Sequence, residues 1–222
     1  MPLKHLQNLP LWEHKLSKEQ LEPIWREVNS MQSADYKDYK TASPQLVGDL
    51  EHQYFLKDSL PDLDATVQEQ INLWEDESRY LASMNYNSGK HAIRSLGAWV
   101  NFQSKGENNP LHSHGGVVSW VLWLKIPYTI EQEREYLSRQ PTTQTQLFVG
   151  QFALVYTNIL GNVEMTAWDS DEMEGTLLLF PSKLKHAVYP FYSTDEKRIT
   201  ISGNYAFNTD HVYQNVDINE TR

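Results

Sequence analysis

Three histidines of this chain are spaced so that they could share one metal ion. His112 and His114 are separated by a single residue in NPLHSHGG, and His186 follows the string FPSKLK. In an extended segment, residues two apart point to the same face, so both imidazoles of the pair can reach one ion. A third histidine from a distant strand would complete a facial set. By spacing alone, a His-x-His pair is equally compatible with a solvated loop. The chain has no cysteine, which excludes thiolate ligands, disulfides and a cysteine nucleophile, so a metal site must be built from His, Asp and Glu. The remaining histidines, His5, His14, His52, His91 and His211, have no paired spacing and read as surface or structural residues.

A second group could bind an anion. Arg198 stands in KRITISGN, and Thr200, two residues on, shares its face of an extended strand. Together they offer a bidentate cation and a hydroxyl to a carboxylate. An arginine beside Asp195 and Glu196 is also what an exposed surface pair looks like, but the flanking Ile199, Ile201 and Tyr205 favour a buried position.

The elements that must hold these residues change character along the chain. Leu21, Ile24, Trp25, Val28 and Met31 recur at spacings of three and four behind Ser17 and Gln20, a capping-box pattern, which predicts a first helix. Pro23 fits that helix without loss only in its first turn. Val67, Ile71, Trp74, Ser78 and Leu81 line one face of a second helix that starts near Pro61 and Asp62 and ends between Asn85 and Gly89. From Ala92 the period becomes two. Ala92–Phe102, Val117–Ile126, Phe152–Tyr156, Val163–Trp168, Thr176–Phe180, Ala187–Tyr189 and Arg198–Tyr205 read as strands. The polar stretch between Thr129 and Gln146 predicts a short helix and a surface loop. The fold expected is α+β and mainly β, an antiparallel sandwich or barrel braced by N-terminal helices. It divides into a mainly helical supporting segment over 1–91, a β core over 92–207 and a loosely held tail over 208–222, all within one domain.

Composition narrows the function classes. With 222 residues and 40% hydrophobic content the chain can bury a substantial core, and no apolar run approaches the length of a membrane helix. Its first residues lack the continuous apolar segment of an export signal, so the cytoplasm is the expected compartment. A net charge of −10 disfavours nucleic acid as a partner.

The glycine-to-histidine stretch from Gly106 to His112, and the series Gly175, apolar strand, Pro181, His186, resemble the two halves of a double-stranded β-helix metal site, the jelly roll of cupins and iron oxygenases. More closely, five strings resemble the 2-oxoglutarate- and Fe(II)-dependent oxygenases, in particular those of marine phages and bacteria. They are Ala98-Trp99-Val100-Asn101, Asn109 to His114, Val118-Ser119-Trp120 with Trp123, Gly175 to Ser182 with His186, and Arg198 to Ser202 with Asn204. The resemblance covers about residues 92 to 206. It implies a jelly-roll core with iron held by His112, His114 and His186. The distal carboxylate of 2-oxoglutarate would be held by Arg198 with Thr200, and Asn101 and Asn204 would contact the cosubstrate or a metal-bound water. It further implies Fe(II), 2-oxoglutarate and O2 as cofactors, with ascorbate as a possible reductant, and oxidation of a prime substrate coupled to decarboxylation of 2-oxoglutarate. Hydroxylation is the usual result.

At position 114 this sequence departs from the wider superfamily, which carries a carboxylate as the third ligand. A neutral imidazole there leaves the iron one unit more positive, which favours an anionic cosubstrate. Glu107, Asp169 and Asp171 are alternative carboxylates without a motif to prefer them. Two other readings stay open. A cupin-type three-histidine metalloenzyme would use the same histidines but give Arg198 no role, and a non-enzymatic jelly-roll binding or structural protein would bury the histidines without metal. The prime substrate, a protein side chain or a small molecule, is not encoded in these motifs, and neither is the oligomeric state.

Overall fold

A computed structural model of the chain describes residues 9–84, 93–140, 148–168 and 170–208. The N-terminal segment gives strand β1 (Trp12–Lys15), helix α1 (Lys18–Ser33), strand β2 (His52–Phe55) and helices α2 (Leu60–Ser78) and α3 (Tyr80–Met84). After it come β3 (Ile93–Gln103), β4 (Asn109–His112), β5 (Val118–Lys125), α4 (Ile130–Ser138), β6 (Phe152–Thr157), β7 (Val163–Trp168), β8 (Thr176–Pro181), β9 (Lys185–Val188) and β10 (Arg198–Phe207). The tail and the end of the second predicted helix lie outside the described residues.

The strands form two antiparallel sheets. The major sheet has the order β1-β8-β5-β10-β3-β2 and the minor sheet β4-β9-β6-β7, the two-layer jelly roll that the sequence predicts. The near-continuous apolar run on β5 follows from its central place in the major sheet. Trp120, Leu122 and Leu124 face the helices, packing with Val28 and Met31 of α1 and Val67, Ile71 and Trp74 of α2. Val121 and Trp123 face the other way, into the core between the sheets with Phe152, Leu154, Leu178 and Phe180. Both faces of such a strand are dry, so it cannot alternate polar with apolar.

Several local expectations are met by chemistry and others corrected. Ser17 and Gln20 form the capping box at the start of α1, and Thr129 and Gln132 form a second at α4. Pro23 lies beyond the first turn, and α1 continues through it. The hydrogen bond that Pro23 cannot make leaves the carbonyl of exposed Glu19 to water. The second predicted helix is split: Arg79 adopts the left-handed region with φ 56°, and the Glu75 carboxylate accepts from the Leu81 and Ala82 amides to start α3. The N-terminal segment is less purely helical than its periodicity suggests, because β1 and β2 add the two outer strands of the major sheet. Among the described residues no helix is long and apolar enough to cross a membrane.

Buried carboxylates tie the loops to the helices. Glu27 on α1, 4% exposed, accepts from the amides of Lys57, Asp58 and Ser59 and from the Ser59 hydroxyl. Glu133 on α4, fully buried, does the same for Tyr192 and Ser193. Removing such an acceptor strands several donors at once. Glu27→Ala is therefore expected to destabilise the fold by about 3 kcal/mol, measured by urea unfolding. A change within experimental error would contradict this role for Glu27.

Candidate active site

The three histidines meet at one end of the space between the sheets. β4 pairs with β9 so that His112 and His186 are direct partners in register, and β4 ends there, letting His114 turn in beside them. The His114 amide donates to the Ser182 carbonyl at 2.9 Å, which fixes the turn to the end of β8. One ligand atom from each histidine lies within 4.8 Å of the other two, and the ring centroids are 4.2 to 4.9 Å apart.

Backbone carbonyls select the tautomers. His112 Nδ1 is 2.7 Å from the Pro110 carbonyl oxygen and His186 Nδ1 is 3.0 Å from that of Leu184. A carbonyl only accepts, so both Nδ1 atoms carry hydrogen and both Nε2 atoms present lone pairs. His186 Nε2 and His114 Nε2 are 3.1 Å apart. Two nitrogen lone pairs at that distance repel unless a proton or a cation lies between them, and a third imidazole nitrogen nearby makes a divalent cation the better match. The donor set thus fits a metal such as Fe(II). Glu107 is engaged elsewhere, accepting from the Glu51 and Ser104 amides. Asp169 lies outside the described residues, and the side chain of Asp171 is also outside them.

Burial keeps these imidazoles neutral. Desolvation, then the neighbouring His112, pulls His114 down to about 4 from an ordinary 6.5. His186 falls to about 3 from the same two causes, and burial also lowers His112. Because the folded values lie below the unfolded one, the unfolded chain binds more protons at mildly acidic pH. The stabilisation is complete above about pH 6.5 and is lost as pH falls toward the folded values. The metal-free protein should lose Tm steadily between pH 7 and 4, with a shallower slope in His114→Gln. Equal slopes would contradict the link.

Arg198, 1% exposed, lines the same cavity. Its Nη1 donates to the Tyr128 hydroxyl at 2.7 Å and the Gly150 carbonyl at 2.9 Å, and its Nη2 donates to Gln103 Oε1. All three partners are neutral. Among the described residues no carboxylate forms an ion pair with Arg198, and its Nε is buried with no hydrogen-bond partner. A buried cation with an unused donor is a site for an anion.

Thr200 and Asn101 also line this cavity, as do Trp99, Trp123 and Ser202. Asn204 is placed differently. Its Oδ1 accepts from Ser119 at 2.6 Å, and Ser119, not Asn204, is in the cavity wall. Sequence reasoning missed Gln103, Tyr128, Gly150 and Ser202. Gln103 and Ser202 could have been found as the residues two beyond Asn101 and Thr200 on their strands. Tyr128 and Gly150 sit on connections and leave no periodic signal.

Two packed antiparallel sheets of a jelly roll thus enclose one cavity whose three imidazoles fit a metal ion and whose buried guanidinium fits an anion. Residues 97–204 match the family model described as "Putative 2OG-Fe(II) oxygenase". The matched segment is that of a 2-oxoglutarate/Fe(II) oxygenase, and the chain is accordingly an enzyme whose cofactors are Fe(II), 2-oxoglutarate and O2. No curated protein matches it in sequence. In fold it is similar to a prolyl-4-hydroxylase from Pseudomonas putida, with TM-score 0.54, 13% identity and coverage of 90% of this chain and 94% of that one. It is also similar to a prolyl hydroxylase from Trichoplax adhaerens, solved with a hypoxia inducible factor peptide fragment, with TM-score 0.56, 16% identity and coverage of 94% and 88%.

Proposed function

We propose that His112, His114 and His186 hold the iron and that Arg198 and Thr200 hold the distal carboxylate of 2-oxoglutarate, in an oxygenase that hydroxylates a protein side chain or a small molecule. The observation that carries this reading is the presence, in one cavity, of three converging imidazoles and a fully buried guanidinium that has no counter-ion among the described residues. When bound, iron and 2-oxoglutarate would activate O2, one oxygen atom entering the prime substrate and the other the succinate that forms with CO2 from the cosubstrate. The chain's own residues do the rest. Pro110 and Leu184 carbonyls keep the Nε2 lone pairs of His112 and His186 aimed at the metal position. Gln103, Tyr128 and Gly150 orient the Arg198 guanidinium without neutralising it, so its charge is available to the cosubstrate. Trp99, Trp123, Phe152 and Phe180 line the same cavity with apolar surface and limit water there.

The two hydroxylases of similar fold act on prolyl substrates by name, which makes a peptide the first substrate class to screen. A cupin-type enzyme without 2-oxoglutarate would leave Arg198 without a ligand. In this reading the chain works as one domain in the cytoplasm, with ascorbate serving to re-reduce the iron. Incubation of the Fe(II)-loaded protein with 2-oxoglutarate and O2 should form succinate slowly without prime substrate and faster with it. Succinate formation at the level of the metal-free control would overturn the proposal.

A further inference from the structure

One row of side chains crosses the cavity face of the major sheet. Gln53 on β2 is in register with Asn101 on β3, and Asn101 with Thr200 on β10. Ser202 follows on the same face of β10. Gln53 Nε2 donates to Asn101 Oδ1 at 2.8 Å, and Asn101 Nδ2 donates to Thr200 Oγ1 at 3.2 Å and to Ser202 Oγ at 3.3 Å. The two amides are 2% and 5% exposed, while both hydroxyls are only partly buried and line the cavity.

The direction of these bonds matters more than their number. An amide nitrogen has two hydrogens, and here each goes to a different hydroxyl oxygen. A hydroxyl that accepts in this way keeps its own hydrogen for another partner and donates it more strongly, because the chain of bonds is polarised in one direction. Thr200 and Ser202 are then both donors toward the cavity. If the Asn101 amide were reversed, its oxygen would take both hydroxyl hydrogens and leave lone pairs facing an incoming anion. Donation from Gln53 to Asn101 Oδ1 holds the productive orientation.

We infer that Gln53, acting through Asn101, is a positioning residue that sets the Thr200 and Ser202 hydroxyls as donors to the cosubstrate carboxylate, an inference that rests on the oxygenase function proposed above. Gln53 lies outside the segment 97–204 that matches the family model, so this device is not supplied by the matched segment. It also makes Ser202 an additional cosubstrate contact.

The test is an anaerobic titration of Fe(II)-loaded protein with 2-oxoglutarate, read from the visible charge-transfer band of the chelate and independent of turnover. Gln53→Met is expected to raise the Kd for 2-oxoglutarate about tenfold and leave Fe(II) affinity unchanged. Gln53→Glu, which keeps the size and can only accept, should raise it at least as much. The decisive readout is a mutant cycle. In a Thr200→Val/Ser202→Ala background, adding Gln53→Met should change the Kd by less than about twofold, because no hydroxyl remains to be oriented. A full additive loss in that background, or an unchanged Kd in both Gln53 variants, overturns the inference while leaving the oxygenase function in place. Iron binding without any band in the wild-type protein overturns both.

Discussion

Replacing His186 with alanine is expected to lower Fe(II) affinity by at least about a hundredfold, since loss of an outer-shell partner alone costs 10- to 100-fold and a ligand must cost more. His186 is the most buried of the three, 4% exposed, and its ring packs against Phe180 and Phe152 at centroid distances of 5.0 and 5.7 Å. That packing fixes the direction of its nitrogen. His112→Ala should behave similarly, as His112 is its partner in register across β4 and β9. The measurement is an anaerobic Fe(II) titration, accompanied by the Tm shift that the metal induces. Wild-type affinity in either variant would contradict the assignment of the trio as ligands.

Arg198→Met is expected to raise the Kd for 2-oxoglutarate by about a hundredfold or more, the cost of leaving a desolvated charge without its partner. Fe(II) affinity should stay near the wild-type value, because the guanidinium is not among the metal-ligating groups. The effect on the fold has two opposing parts: the change removes a buried cation that has no counter-ion among the described residues, but it strands the Tyr128, Gly150 and Gln103 oxygens that accept from it, so a loss of about 1–3 kcal/mol is expected. Isothermal titration with 2-oxoglutarate checks the affinity and thermal unfolding checks the fold. A variant that binds the cosubstrate like wild type would remove Arg198 from the site.

Much of this arrangement is legible in the sequence because the relevant signals are local. A His-x-His pair signals two imidazoles that can share one ion, although the turn after β4, and not strand alternation, brings His114 in beside His112, and the string from Gly175 to His186 announces a strand, a proline stop and a presented histidine. Arg198 and Thr200 are readable for the same reason, as two positions on one strand face. What escapes is set by tertiary contact. β1 and β2 are four residues each, with few apolar positions to reveal a strand, and only pairing with β8 and β3 defines them. Tyr128 and Gly150 are brought to Arg198 from opposite ends of a connection that contains α4. Carboxylates are the least readable of all. Glu27 and Glu133 have the composition of solvated faces yet are buried acceptors, and even exposed Glu174 accepts from the Ile126 amide at 2.6 Å. Asn204 lies at the spacing of Arg198 and Thr200 along β10, but its side chain is taken up by Ser119 and does not line the cavity.

One cavity is expected to bind iron and 2-oxoglutarate together. The most direct test is anaerobic visible spectroscopy of the Fe(II)-loaded protein as 2-oxoglutarate is added. A weak charge-transfer band that saturates at one cosubstrate per iron, and is absent from His112→Ala and His186→Ala, is the result expected. Stoichiometric iron binding with no band at saturating 2-oxoglutarate would contradict it.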